Sequence, residues 1–582
     1  MCKYCHALHW AAEAVEPDEY GDCCLHGKVD VPLLEPLPDD LRTLYCENTT
    51  VCKEFRTHIR YYNKAFAFTS TGGSHHLDGT VLDGHGPPCY KIQGELYHQL
   101  GPVLPEDNHR PLYSQLYIFD NAQALGERER NNPLTKHATM SLLQNMLQEH
   151  DPFVCVYEQA YRLTQTTLLP TYRLCLDFVR ATDRRTYNMP QAEHELAAII
   201  PGDVGACINS RQVIVRPKGG PLLHINECHP GYIPLHFPLL CPTGQAGWNT
   251  DMRQKAISNA DGSTTPQRRL TFCNFLQFRL HPRPSSVESD HYFRAAGLLQ
   301  EYIVEMWVAA GHSRLRWIRD HQKDLRAELY TGVLDALEEG LQPSAIGRKV
   351  VLPASFTSGP RFMQKNLQHA LTLLRIFGGS DLFITFTANP AWLEITEAIL
   401  LGQNASDRPD IVARVFRLKF ESFLDEVMKK KLFGKALGYV YAIEYQKRGL
   451  PHAHTIFFLH PSCRLSTPER VDAIISSEFP DPNREPLLFE LVKMHMIHGP
   501  CGLDRVSPCV DTSGHCSKGF PMSFQPTTDM TAESYVKTRR RATGLTYSVR
   551  DAVEILACAM ATCPEYESRG IRCCTTLVFG LP

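Results

Sequence analysis

Glu444-Tyr-Gln-Lys-Arg-Gly-Leu-Pro-His452-Ala-His454-Thr-Ile-Phe-Phe-Leu459 is the stretch on which the reading turns. Residues i and i+2 of a strand point to one face, so His452 and His454 present two imidazoles side by side while Ala453 packs behind. The run before it, Leu437 to Gln446, is also of strand type. There the same alternation puts Glu444 and Gln446 on one face and Ile443 and Tyr445 on the other. Lys447-Arg-Gly-Leu-Pro joins it to the strand at His454 to Leu459. If this hairpin closes, two imidazoles and a side-chain oxygen converge. That is a three-ligand site with open positions, the arrangement of a catalytic metal rather than a closed structural one. Two histidines one residue apart also occur as ordinary core or surface residues. The Gly-Leu-Pro and the polar pair one strand earlier shift the balance toward a metal.

Upstream, Asp381-Leu-Phe-Ile-Thr-Phe-Thr-Ala is an apolar β-type run bounded by Gly378-Gly379 and Asn389-Pro390. Arg361 to Phe377 carries Met363, Leu367, Leu371, Leu374 and Phe377 at helical spacing, with the Gly pair as its stop. Pro409 to Lys431 reads as a helix with Val412, Val415, Phe416, Phe420, Phe423 and Val427 inward. From Tyr292 to about Ala327, one or two helices place Leu298, Leu299, Ile303, Met306 and Trp307 at the same spacing. Helix, strand, helix, strand, strand gives an α+β class with a central antiparallel sheet flanked by helices. The sheet is expected to bring 382–387, 437–446 and 454–459 together, with one of the helices at 361–377 and 409–431 across a face.

The chain of 582 residues is too long for one core and is expected to be multidomain. The expected division is a Cys/His-rich segment at 1–60, a loop-rich region at 61–274, a nuclease-like domain at 275–460, a Cys/His-containing extension at 461–541, and a divergent tail at 542–582. Hydrophobic residues at 43% and charged residues at 21% exclude a disordered chain. No apolar run approaches the roughly 20 residues that cross a bilayer, and the first residues form no signal-peptide core. An intracellular protein without a membrane partner follows, in which 21 cysteines beside 26 histidines point to metal sites rather than disulfides. No phosphate-binding loop of nucleotide-hydrolysing motors occurs.

The net charge of −3 makes no global argument for nucleic acid. Locally, Arg408 to Arg448 holds ten Lys/Arg against five Asp/Glu, and Tyr535 to Arg550 five against none. Lys429, Lys430, Lys431, Lys447, Arg448, Arg539, Arg540 and Arg541 are the candidate phosphate contacts; a solvated helix face and a basic loop are the plain alternative. Two Cys/His groups have zinc-like spacing. One is His498, Cys501, Cys509 and Cys516. The other draws on Cys2, Cys5, one of Cys23 and Cys24, and His9 or His26, because adjacent cysteines seldom ligate one ion together. Trp10 and Val15 beside it are expected in the core.

These motifs resemble a family. Glu444 to His454 looks like the second motif of the Rep domain of Helitron-type rolling-circle transposases, members of the His-hydrophobic-His nucleases, and Asp381-Leu-Phe-Ile-Thr-Phe-Thr-Ala-Asn-Pro-Ala-Trp392 looks like the first. Pro353 to Asn366, His495-Met-Ile-His-Gly-Pro-Cys-Gly502 with Cys509 and Cys516-Ser-Lys-Gly-Phe-Pro, and Cys2-x-x-Cys5 with Cys23-Cys24-x-x-Gly-Lys-Val also follow it. The likeness runs from residue 1 to about 541. It implies a nuclease that cuts one strand of DNA. In that family Mg²⁺ or Mn²⁺ held by the histidines polarises the scissile phosphate, and a tyrosine attacks phosphorus to leave a phosphotyrosine. His452 and His454 carry over as ligands, with Gln446 and then Glu444 favoured as the third. Single-stranded DNA is the implied partner and the nucleus the implied location.

The family's tyrosines sit in a Tyr-x-x-Lys-Tyr setting after a Tyr-x-x-x-Arg-Arg-Arg region. Tyr535-Val-Lys-Thr-Arg-Arg-Arg541 is present, but Thr543 to Pro582 holds no such motif and no helicase follows, so that any helicase is supplied by another chain. Tyr547 and Tyr566 are read as incidental. The expectation is a truncated transposase remnant that binds metal and single-stranded DNA without completing nicking. The alternatives are an active endonuclease with an unusual or borrowed tyrosine, and a zinc-stabilised interaction module without nucleic acid.

Overall fold

The structure, a computed structural model, describes residues 1–77, 90–100, 109–158, 172–177, 197–201, 212–215, 223–256, 264, 266–322, 352–445, 449–495, 509–511, 514–517, 523–531, 536–542, 546–548 and 554–556. The chain divides into two units, Met1–Asp324 with Ile399–Asp410, and Leu325–Ala398 with Ile411–Pro582.

In the first unit, α1 (Asp39–Cys46) leads into α2 (Thr50–Phe66), whose first turn is capped by the Thr49 hydroxyl accepting from the Cys52 N–H. Phe55, Ile59, Tyr62 and Phe66 of α2 follow the helical period and are all buried. The region read as loop-rich contains two three-stranded antiparallel sheets. β1 (Ser70–Leu77), β2 (Tyr90–Leu100) and β6 (Leu223–His224) form one; β4 (Ala197–Pro201), β3 (Tyr172–Asp177) and β5 (Gln212–Val215) form the other. Between them in sequence lie α3 (Asn121–Asn131) and α4 (His137–His150). Arg128 of α3 is fully buried against the rings of Phe66 and Tyr117 and donates from Nε to the Ala65 carbonyl and from a terminal nitrogen to Gln144 Oε1, which offsets part of the cost of burying its charge. After α5 (Phe272–Arg279) comes α6 (Gly297–Asp320), which buries Leu298, Leu299, Tyr302 and Met306. Trp307, expected in that stripe, is instead 61% exposed; Val15 is exposed and Trp10 only half-buried. α5 and α6, read as opening the nuclease-like domain, belong to this first unit.

The second unit is built on an antiparallel sheet of order β7 (Leu382–Thr387), β9 (Pro451–Leu459), β8 (Ala436–Tyr445). α8 (Pro409–Met428) buries all six of the residues its sequence periodicity selects. Its Phe416, Phe420 and Phe423 pack on Phe386 of β7, and Phe423 meets Phe457 of β9 edge-on at 5.9 Å. α7 (Pro360–Phe377) ends where Gly378 takes the left-handed conformation (φ 71°) that stops a helix at little cost. Its expected inward stripe is not inward: Met363, Leu367, Leu371 and Leu374 are exposed, and the helix buries no residue. Amphipathic spacing marks a face that can pack; whether a partner surface meets it is a tertiary matter. Phe377 at its end lies 5.3 Å from Phe458. Further on, α9 (Pro468–Ile474) and α10 (Pro486–His495) precede the basic loop. Among the described residues, no helix is long and apolar enough to cross a membrane.

Candidate metal centre

β9 is the middle strand, so both of its neighbours can furnish partners for its histidines. The register sets His452 opposite Thr387 of β7 and Glu444 of β8, and His454 opposite Thr385 and Ala442. Residues directly opposed across a ladder share a face. Thr385, Thr387, Glu444, His452 and His454 therefore stand on one side, while Ala453, Thr455 and Phe457 turn to the other, where Phe457 meets α8. The two imidazole centroids are 4.5 Å apart with planes at 83°.

Each ring has a hydroxyl on its inner nitrogen. Thr387 Oγ1 lies 2.5 Å from His452 Nδ1, and Thr385 Oγ1 lies 3.1 Å from His454 Nδ1. A hydrogen bond at Nδ1 orients the ring and directs Nε2 outward as the ligating nitrogen. His454 Nε2 is 2.8 Å from Glu444 Oε1, and the ligand atoms of Glu444, His452 and His454 all lie within 4.8 Å of one another. Burial, and then the neighbouring His454, hold the His452 imidazole below its ordinary pKa, with Glu444 opposing. A neutral ring at neutral pH is the ligating form. The Glu444 side chain is 63% exposed and that of His454 34%, so the site opens to solvent. Two imidazole nitrogens and a carboxylate oxygen on an open face fit Mn²⁺, or Mg²⁺ with retained waters. Gln446, the third ligand first favoured from sequence, lies outside the described residues, as do Lys447 and Arg448.

The amino-terminal cysteines also converge. Cys2, Cys5, Cys23 and Cys24 place their sulfurs within 4.8 Å of one another, with Cys2 to Cys24 at 3.7 Å and Cys23 to Cys24 at 3.8 Å. A tetrahedron of sulfurs about 2.3 Å from a zinc ion has edges of about 3.8 Å. The Gly27 N–H donates to Cys24 Sγ at 3.3 Å. The fourth member of this cluster is Cys24 rather than His9 or His26; His9 Nδ1 lies 2.9 Å from Glu13 and its ring stacks on Tyr20 at 3.9 Å. The short helix Gly21–Cys24 and the left-handed Leu25 and His26 that follow turn both sulfurs inward, which the adjacency of the two cysteines does not reveal. In the second cysteine group, the Cys509 carbonyl accepts from the Ser517 N–H at 2.7 Å, and Cys516 bridges Val510; His498 and Cys501 lie outside the described residues.

The basic candidates are largely engaged within the chain. Lys429 and Lys430 pair with Asp425 and Glu426 one helical turn back. Arg539 lies against Asp472 and Glu478, Arg541 bonds Glu478 through two nitrogens, and Arg540 is buried near the Phe524 ring. Lys431, with φ of 57°, follows α8. Thr385 and Thr387 are the functional residues that sequence reasoning missed. The signal was their alternation in Ile384-Thr-Phe-Thr387, in phase with His454 and His452 across the ladder.

Residues 275–457 match the family described as the Helitron helicase-like domain at the N-terminus. This segment is similar to a Helitron protein. The matched span of the Helitron-like segment takes in β7, β8 and β9 as far as Phe457, and with them Thr385, Thr387, Glu444, His452 and His454. No curated protein matches the chain.

Proposed function

We propose that this chain is a Rep-type protein that holds a divalent cation at His452, His454 and Glu444 and binds single-stranded DNA there without forming a covalent link to it. The observation that carries the reading is the pair of Nδ1–threonine contacts, which set both imidazoles on one face beside a carboxylate. A histidine pair of purely structural use has no need of two oriented outer nitrogens on an open surface. Mg²⁺ or Mn²⁺ bound there supplies charge that polarises a phosphate oxygen. His452 and His454 act as neutral donors, Thr387 and Thr385 keep their rings aligned, and Glu444 balances charge.

Polarising a phosphate does not supply the attacking atom, and the sequence contains no Tyr-x-x-Lys-Tyr string. Binding needs only cationic contacts and base stacking. Lys429 to Lys431, with Lys447 and Arg448 of the sequence, provide the cations, since surface pairs such as Lys429–Asp425 are weak enough to be exchanged for phosphate. A zinc ion held by Cys2, Cys5, Cys23 and Cys24 is proposed as a structural component of the amino-terminal segment.

The test incubates the purified chain with labelled single-stranded DNA and Mn²⁺, reading binding against salt and covalent product on a denaturing gel. Binding that weakens with salt, with no denaturant-resistant band, is expected. A resistant band that disappears in the His452→Ala, His454→Ala double variant makes the chain an active nuclease and overturns the non-covalent part of the proposal. Absence of binding at low salt overturns the whole.

A further inference from the structure

A second cluster of metal-ligating side chains lies in the first unit, outside everything described above. His98 of β2, His236 in the turn before Phe237, and Glu305 of α6 place a ligand atom each within 4.8 Å of one another. His98 Nε2 is 3.0 Å and His236 Nε2 3.5 Å from the same oxygen, Glu305 Oε2. The side chains of His98 and Glu305 are fully buried and that of His236 is 7% exposed. His98 stacks between Tyr232 and His236, each at 4.1 Å, and Thr69 Oγ1 lies 2.8 Å from His236 Nδ1.

We infer that this cluster is a buried site for a first-row divalent cation, held by His98, His236 and Glu305. A carboxylate with no exposure requires a positive countercharge close by. Both Nε2 atoms converge on one carboxylate oxygen, as ligands that share one cation do. A cation about 2.1 Å from each donor holds nitrogen and oxygen about 3.0 Å apart at a right angle and about 3.4 Å apart at the tetrahedral angle. The observed 3.0 and 3.5 Å lie close to these two values. The Thr69 contact at Nδ1 orients His236 as Thr385 and Thr387 orient the sheet histidines, which is the usual support for a ligating ring. Two imidazoles and a carboxylate suit Zn²⁺, Mn²⁺ or Fe²⁺. With no solvent face, the ion ties β2, the His236 turn and α6 together, elements whose ligands are up to 207 residues apart.

The test uses the full chain carrying His454→Ala, which removes the sheet site, and Cys501→Ser, which breaks the second Cys/His group; among the described residues the all-sulfur amino-terminal cluster and this one remain. The protein is stripped with chelator, loaded with Co²⁺ and read by metal content and X-ray absorption. The expectation is cobalt with imidazole and oxygen neighbours beside a thiolate-bound fraction, and loss of about one equivalent on adding Glu305→Gln, which keeps the side chain's shape and hydrogen bonding. His236→Gln should give the same loss. Cobalt bound only by sulfur, or a content unchanged by Glu305→Gln in a folded protein, overturns the proposal. The absorption spectrum of the His454→Ala, Cys501→Ser protein decides even if neither further variant folds.

Discussion

Thr387→Val removes one hydroxyl and little else. The side chain keeps its volume, and β7 keeps its backbone ladder to β9. What is lost is the 2.5 Å contact at His452 Nδ1, on the ring that the register sets opposite it. Two consequences follow, of different size. The net contribution of such a hydrogen bond to stability is about 0.5–1.5 kcal/mol. Its contribution to metal binding is larger, because an outer partner fixes both ring orientation and tautomer; its loss typically weakens affinity about 10- to 100-fold, or about 1.4–2.8 kcal/mol. Titration calorimetry of Mn²⁺ into the full chain measures the second quantity and thermal unfolding the first. Thr372→Val serves as the control, since that hydroxyl only bonds a carbonyl of its own helix. A folded Thr387→Val protein that binds Mn²⁺ as tightly as the parent refutes the assignment of the threonines as orienting partners.

Cys24→Ser should lower bound zinc by about one equivalent, whereas His9→Ala should leave it unchanged, because Cys24 and not His9 lies among the sulfurs; the reverse result restores the histidine ligand. His291 is buried, with Nε2 donating to the Leu240 carbonyl, and burial lowers its pKa to about 4. Its unfolded value is about 6.5, so stability is intact above that pH and is lost as pH falls toward 4, by roughly 3 kcal/mol in all. His291→Gln should flatten this part of the pH profile in chemical denaturation, and an unchanged slope assigns it elsewhere. Phe386→Ala, which removes the ring that Phe416, Phe420 and Phe423 surround, should cost about 3–5 kcal/mol and be read as a lowered denaturant midpoint; a loss under about 1 kcal/mol would mean α8 is not anchored there.

Local spacing determined a good deal by itself. The six apolar positions of α8 repeat at helical period, and a helix that has one core to face buries that stripe, as it does. The His-x-His parity likewise needs only a strand, because alternation is a property of the extended backbone. The same spacing on α7 marks an equally good stripe, yet Met363 and Leu367 remain exposed, since periodicity states which residues share a face and not what meets it. Registers and distant convergences belong to the tertiary structure. Which threonines stand behind His452 and His454 depends on how β7 slides along β9; a slip of one residue would turn those hydroxyls to the opposite side of the sheet. Cys24 enters its cluster through a left-handed turn at Leu25 and His26 that adjacent cysteines do not announce. His98, His236 and Glu305 come from a strand, a turn and a helix that share no local pattern, and only the packing of one core brings two imidazole nitrogens and a carboxylate oxygen together.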